Sequence, residues 1–551
     1  MSHLSPSPGR HVAAPQKPEH ADASVVEQHG EMSHREIMEA LSGLLLGLFV
    51  AMLSSTVVSN ALPRIVGDLE GSQSAYTWVV VATLLTMTAS TPIWGKLADQ
   101  FNKKLLVQAA LIIYVAGSLI AGFSHTMGLL IGARAVQGLG VGGLTALVQV
   151  VIASMVSPRE RGRYSGYIGA VFALATVSGP LIGGLLVDSV GWRWCFFVGI
   201  PVAVLAFVVL QLTLHLPVVK RQVRIDYLGA TLLMSGVSLL LVWVSLAGQH
   251  FAWVSTTSGL LVLGGLVLLG LALLVEARVA SDPIIPLRLF RDRTTTLATA
   301  ASVMVGVAMF GATVYLSQYF QLARGMSPTH AGLMSIAMVG GLFVSSIVTG
   351  RIISARGRWK RFLVGGMVLV IVGLALLSRI DATTSLVYVA VAMCVMGVGL
   401  GASMQNLVLA VQNNTAQADM GAASSVVAFF RSMGGSVGVS ALGAVLSTRV
   451  ADSVSDQLAS LGISTSGISS HAVPELSTLP PTVRAVFEGA YGEATGHLFL
   501  LAVPFAVVAL VCVLAIKEVP LRTTVERSDE RDHSEPVGAS ALQPVPADRV
   551  R

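Results

Sequence analysis

Charge is scarce in this sequence. Only 12% of its 551 residues are Asp, Glu, Lys or Arg, while 54% are hydrophobic, and mean hydropathy is +0.75. Soluble globular domains carry about a quarter charged residues, so a water-soluble fold is excluded. Cysteine is nearly absent: Cys195, Cys394 and Cys512 all lie in apolar stretches without metal-ligand spacing, and they read as small buried hydrophobes rather than a disulfide or metal framework. The chain has no Gly-x-x-x-x-Gly-Lys-Ser/Thr loop, no His-Glu-x-x-His and no sizeable soluble domain, which leaves a membrane enzyme or sensor without a catalytic constellation. No cofactor is expected. The formal charge of +6 is dispersed among short loops, so it argues for no nucleic-acid partner.

Long apolar runs are abundant. A span needs about 20 apolar residues to cross a ~30 Å hydrocarbon core, and lipid offers the backbone no hydrogen bonds, so each span must be helical. Fourteen such segments lie near 41–62, 77–94, 105–123, 128–150, 164–187, 194–215, 227–247, 256–276, 297–321, 330–350, 362–379, 384–408, 422–447 and 497–516. The expected fold class is an all-α membrane protein. Residues 1–37 lack the apolar core of a signal peptide and, with 521–551, read as disordered polar tails.

Loop charge orients the chain. Loops after even-numbered segments hold Lys96, Lys103, Lys104, Arg159, Arg161, Arg163, Lys220, Arg221, Arg224, Arg278, Arg288, Arg291, Arg293, Arg351, Arg356, Arg358, Lys360 and Arg361, against scattered Arg64, Arg193, Arg324 and Arg379 opposite. The positive-inside rule then places both termini in the cytoplasm. Arginine outnumbers lysine, as GC-rich bacterial genomes favour, so a bacterial inner membrane is the expected location. The polar stretch 449–496 falls on the outer face. Val450, Val454, Leu458 and Leu461 share one helical face, and Val483, Val486, Phe487 and Ala490 another; a helical hairpin or a plain loop both suit it. Gly95 to Lys104 after segment 2 is echoed by Gly350 to Arg361 after segment 10. The echo divides the chain into a six-helix half (38–216), two inserted helices (217–293) and a second six-helix half (294–520), a repeat plan with a binding site at the midplane interface.

Four stretches carry mechanism. Gly95-Lys-Leu-Ala-Asp99-Gln-Phe-Asn-Lys103-Lys104 combines a glycine for close helix approach, a carboxylate able to cap or pair, and lysines for anionic headgroups. Arg134-Ala-Val-Gln137-Gly138-Leu-Gly140 puts an arginine deep in segment 4. Insertion there costs about 2.5–3.5 kcal/mol, so it should face the bundle interior with a partner. Segment 5 holds Gly166, Gly179-Pro180 and Gly183-Gly184, a proline-kinked helix with small packing faces. Segment 1 holds Leu53-Ser54-Ser55-Thr56-Val57-Val58-Ser59-Asn60-Ala61-Leu62-Pro63. Together with Gly191-Trp192-Arg193-Trp194-Cys195-Phe196-Phe197, these resemble the fourteen-helix drug:proton antiporter branch (EmrB/QacA type) of the major facilitator superfamily, over roughly residues 40–520.

That resemblance implies two six-helix bundles plus two inserted helices, operating as a monomer by alternating access. It implies that Asp99, Lys103 and Lys104 latch the outward-facing state, that Arg134 serves proton transfer (a purely structural role is the alternative), and that Gly179 and Pro180 mark an exporter. Departures are Gln100 for a basic residue, Asn102 for glycine, Ala175 for glycine and Ser54 for a frequent aspartate. No Asp or Glu lies near a bilayer centre: Glu39, Asp188, Asp226 and Glu276 are near helix ends, whereas Arg134 and Arg431 sit well inside, and Arg431 joins Arg134 as a candidate for proton coupling or gating. A carboxylate site for strongly cationic drugs is therefore not expected, and the proton carrier is not apparent. Polar candidates to line a cavity or simply to pack are Ser55, Ser59, Asn60, Tyr315, Gln318, Tyr319, Gln405 and Asn406, with Gln321 nearby. The expectation is proton-coupled efflux of hydrophobic or amphiphilic small molecules, as in antibiotic resistance, in contact with membrane lipids. Export of one endogenous metabolite, lipid or siderophore is the alternative.

Overall fold

The computed structural model describes residues 34–69, 73–214, 226–248, 251–278, 283, 285–416, 419–461 and 480–521. Most of the two tails, Lys220, Arg221, Arg224 and the centre of the 449–496 stretch lie outside the described residues. The helices are α1 (His34–Asp68), α2 (Gln73–Gln100), α3 (Lys103–Gly122), α4 (Met127–Met155), α5 (Pro158–Ser189), α6 (Trp194–Phe197), α7 (Gly199–Thr213), α8 (Tyr227–Leu246), α9 (Thr256–Arg278), α10 (Arg293–Gln318), α11 (Pro328–Met334), α12 (Ile336–Arg356), α13 (Lys360–Leu377), α14 (Leu386–Asn414), α15 (Met420–Ser460) and α16 (Pro481–Ala515). Among the described residues no strand forms beyond one isolated bridge, Ala247 to Phe251. Among the described residues thirteen spans are long and apolar enough to cross a bilayer, with α6 and α7 acting as one and α11 and α12 as another. A fourteenth, Leu228–Val244, is apolar but shorter. Each apolar segment read from the sequence corresponds to one of these.

Several helices outrun their apolar segments. α1 runs from His34, the first described residue, and its polar first turns carry an Arg35–Glu39 pair at 2.9 Å, spaced four residues apart. α15 continues to Ser460, and its Val450, Val454 and Leu458 are buried in the same cluster as Val483, Val486, Phe487 and Ala490 of α16. The polar stretch thus leaves and re-enters as a packed helix pair, although residues 462–479 are outside the described set.

α1 packs on α5 and α7, and α2 and α3 on α4; in the second half α12 and α13 pack on α14, and α10 on α15 and α16. The halves meet along two seams, α2 with α15 and α5 with α12. α8 covers the first seam: Leu233, Val237 and Leu241 join Ala89, Val426 and Phe429 in one cluster. α9 packs on α8 and leaves Leu260, Leu263, Leu266 and Leu274 exposed, as a lipid-facing helix should.

The echo between the halves has a physical counterpart. Lys104 opens α3 and donates from Nζ to the Gln211 carbonyl at 2.7 Å, near the C-terminus of α7. Lys360 opens α13 and donates from Nζ to the Leu514 and Ile516 carbonyls at 2.9 and 2.6 Å, at the C-terminus of α16. In both halves a cation satisfies a helix's last carbonyls. Glu518 Oε1 in turn accepts the Trp359 and Lys360 amides at 2.9 and 3.1 Å, so the chain after α16 is tied to the start of α13.

Candidate functional site

The α2–α15 seam closes because both helices have glycine where they touch. A Cβ on Gly95 would lie 2.7 Å from the Gly421 carbonyl and would collide with the Ser425 side chain; one on Gly421 would lie 2.5 Å from Asp99 Oδ1. Close approach puts the Asp99 carboxylate on the first turn of α15, where amides lack intrahelical acceptors. Oδ1 accepts from Gly421 N at 2.7 Å and Oδ2 from Ala422 N at 2.9 Å. Charge and helix dipole reinforce each other there. Lys96 and Lys103 supply nearby positive charge. Asn102 is the N-cap of α3, accepting the Lys104 amide at 2.9 Å, which accounts for its presence in place of glycine. Next to the seam, Arg288 pairs with Asp419 at 2.8 Å and so ties the segment after α9 to the start of α15.

Two further bridges join the halves. Arg161, buried at the start of α5, donates from Nη1 to Gln412 Oε1 at 3.0 Å, from Nε to the Val156 carbonyl at 2.9 Å and from Nη2 to the Ala153 carbonyl at 2.5 Å. Burial lowers its pKa to about 9, which leaves it cationic at neutral pH. Gln412 passes a hydrogen bond to Ser424 at 2.8 Å. Gln149 of α4 donates to Gln405 of α14 at 3.0 Å. Asp99 near the C-terminal end of α2 and Arg161 near the N-terminal end of α5 lie on the same side of the molecule, so these contacts tie the two halves together there. Arg161, Gln149 and Gln412 were not singled out from the sequence. Arg161 reads there as one more loop arginine, and the available signal was Gln149, a polar residue inside the apolar run Ala146–Ile152.

Arg134 is buried in α4 without a carboxylate partner among the described residues. Its Nη1 donates to Gln137 Oε1 at 2.5 Å and its Nε reaches the Val79 carbonyl at 3.4 Å. Gln137 Nε2 donates to Ser118 at 2.8 Å. The buried Tyr114 hydroxyl faces Ser118, Ser54 and Gln137, and its ring lies within electrostatic range of Arg134. Thus Ser54, which stands where the resemblance leads one to expect aspartate, belongs to the arginine's own polar cluster. Glycines make this possible: a Cβ on Gly117 would sit 2.6 Å from Gln137 N, and one on Gly140 2.6 Å from Tyr114 N.

The other expected residues separate. Gly179 lies against Thr56, and Gly183 would place a Cβ 2.9 Å from the Val57 carbonyl, so this part of α5 packs on α1, while Gly166 lies against Ile347 of α12. Pro180 is inside the continuous α5; its side chain, with those of Ser59 and Asn60, lies outside the described residues. Ser55 is half-buried. Tyr315 bonds the Val439 carbonyl and Tyr319 the Asp381 carbonyl at 2.8 Å; both are buried packing groups of the second half, and Tyr319 opens a π-helical turn to Ala323. Gln318 and Gln321 are half-buried, with Gln321 bonded to Ser317 at 3.1 Å. Asn406 bonds its own helix at Ala402, 2.6 Å. Arg431 is half-buried, and its Nη1 is buried with no hydrogen-bond partner among the described residues.

Residues 44–439 match the family model described as Major Facilitator Superfamily. This chain is a major facilitator superfamily protein. It is 36% identical over 491 residues to an uncharacterized MFS-type transporter of Mycobacterium tuberculosis, covering 89% of this chain and 71% of that one. It is 34% identical to the efflux pump dotC of Dothistroma septosporum (89% and 85%) and 33% identical to the multidrug transporter protein MdtP of Bacillus subtilis (79% of each). Among solved structures, the proton:xylose symporter XylE superposes with a TM-score of 0.55 at 12% identity, covering 86% of this chain and 95% of that one. The human organic anion transporter MFSD10 gives 0.54 at 14% (85% and 99%); both likenesses concern the fold. The protein is a multi-pass membrane transporter.

Proposed function

We propose that this transporter exports hydrophobic or amphiphilic compounds by proton-coupled alternating access, within the fourteen-helix antiporter branch. The observation that carries the reading is the Asp99 cap on α15, with both amides at hydrogen-bond distance. A charge-assisted contact that must break for one side to open is the two-state element alternation requires. The relatives named efflux pump and multidrug transporter support the direction and cargo. The basic loops on the side of the Asp99 and Arg161 contacts support a cytoplasmic position for that side and for both termini; on this reading the conformation is an outward-facing one. The two six-helix halves, 38–216 and 294–520, rock about the seams, with 217–293 riding on the first. The location is a bacterial inner membrane and the working unit a monomer.

The test is dye accumulation in cells expressing the protein, across a panel of amphiphiles, with and without an uncoupler. Lower accumulation that an uncoupler abolishes supports the reading; equal accumulation across the panel opposes it. The alternative, a dedicated exporter of one endogenous product, is favoured by the lack of mid-span carboxylates, and a single transported compound in the panel would point to it.

A further inference from the structure

Four of the six buried side-chain atoms without a hydrogen-bond partner among the described residues stand at one height in the spans; Ser178 Oγ and Asp226 Oδ2 are the other two. α10 and α15 run parallel, since Gly434 lies against Val303, Gly438 against Val307 and Leu442 against Gly311. That register sets Thr299 and Ser302 at the level of Arg431, whose carbonyl lies against Gly306. α2 runs antiparallel to α15, with Gly95 against Ser425 and Asp99 on Gly421, which brings Thr88 to the same height. The hydroxyls of Thr88, Thr299 and Ser302 and the Arg431 Nη1 are all buried without a hydrogen-bond partner among the described residues. Thr and Ser in helices ordinarily bond the carbonyl a turn back, as Thr83, Thr91 and Ser403 do here. Buried polar groups ordinarily find a partner, so the unpaired Arg431 Nη1 and the Thr299 and Ser302 hydroxyls on the adjoining α10 mark this level as polar. Arg431 stands 11 residues into α15, roughly 16 Å along the helix and so about halfway across the ~30 Å hydrocarbon core.

The chemistry of the set is one permanent cation and three hydroxyl donors. Arg288–Asp419 and the other ion pairs of the described residues lie at helix ends, so among the described residues no carboxylate pairs with Arg431 at this level. We propose that Arg431, with the Thr299 and Ser302 hydroxyls, binds the carboxylate of an amphiphilic organic anion, and that such anions are the preferred cargo. The inference rests on the export reading and names its substrate class. It also accounts for the missing mid-span acid. A cell interior that is negative expels an anion unaided, and about 100 mV sustains a gradient of roughly 50-fold for a single charge, so the proton gradient adds to a force the cargo's own charge supplies.

The experiment uses the full-length protein in proteoliposomes and three dansyl probes: dansylglycine (anion), dansylglycinamide (neutral) and dansylcadaverine (cation). Folding of each variant is checked by size-exclusion chromatography. Wild type should move dansylglycine fastest, and faster when a potassium–valinomycin potential drives anions in the export direction. R431Q should lose about 10- to 100-fold of the dansylglycine rate, the worth of one charge-assisted hydrogen bond, while keeping the neutral rate. R431K should retain part of it, and T299V and S302A should each lower it severalfold. Equal losses for anion and amide in folded R431Q, or preference for dansylcadaverine, overturn the anion site and leave export standing. If folded wild type moves none of the three, the export reading fails and the anion site with it.

Discussion

The carboxylate of Asp99 sits astride the first turn of the helix that begins at Met420, taking the Gly421 and Ala422 amides at 2.7 and 2.9 Å. One acidic side chain of the first half thus terminates a helix of the second. Removing it leaves two amides without acceptors at the seam, at about 1–3 kcal/mol for each one left buried. D99A should therefore shift the population toward the state open on this side. Spin labels at Phe101 and Ala416, in a background with Cys195, Cys394 and Cys512 replaced, should report a longer, broader distance distribution in D99A than in wild type.

Glycine makes the seam possible, so size alone should open it. G95V adds atoms where a first carbon already meets the Gly421 carbonyl at 2.7 Å, whereas a Cβ on Gly128 meets nothing within 4 Å. G95V should abolish transport and lengthen the same spin-label distance. G128A should leave both unchanged.

Arg161 and Gln412 should couple. A double-mutant cycle with R161A and Q412A, read as thermal unfolding midpoints in detergent, should yield a coupling of about 1 kcal/mol. Additive losses would show that the 3.0 Å contact contributes nothing to closure.

Lys360 and Glu518 tie the start of α13 to the end of α16 and the segment that follows it. E518A should lower the unfolding midpoint, since the Trp359 and Lys360 amides lose a charged acceptor; E518Q, which keeps an acceptor oxygen, should lower it less.

The spans were legible because lipid imposes one rule on every crossing segment, and the apolar runs carry it plainly. The Gly95–Asp99 spacing likewise marked a close helix approach and a carboxylate able to cap or pair. Partners were not legible. Nothing local in the sequence links Asp99 to Gly421 or Arg161 to Gln412, because those contacts depend on how two halves dock. Tyr315 and Tyr319 share a helical face with Gln318, as their spacing says, yet their hydroxyls are spent on carbonyls of α15 and of the turn at Asp381. Periodicity gives a face, and only the neighbour decides between packing and lining. Ser54 was visible as a departure, but its place beside Tyr114 in the Arg134 cluster was not.

The most direct test of the account is uptake of a neutral and a cationic fluorescent amphiphile by inverted membrane vesicles, with and without an imposed pH gradient, for wild type and R134A. The account predicts gradient-driven uptake of the neutral compound by wild type and its loss in folded R134A, because Arg134 holds the Gln137–Ser118–Tyr114 cluster through which coupling would run. Uptake that ignores the gradient, or an R134A protein that still follows it, would contradict proton-coupled export through this site.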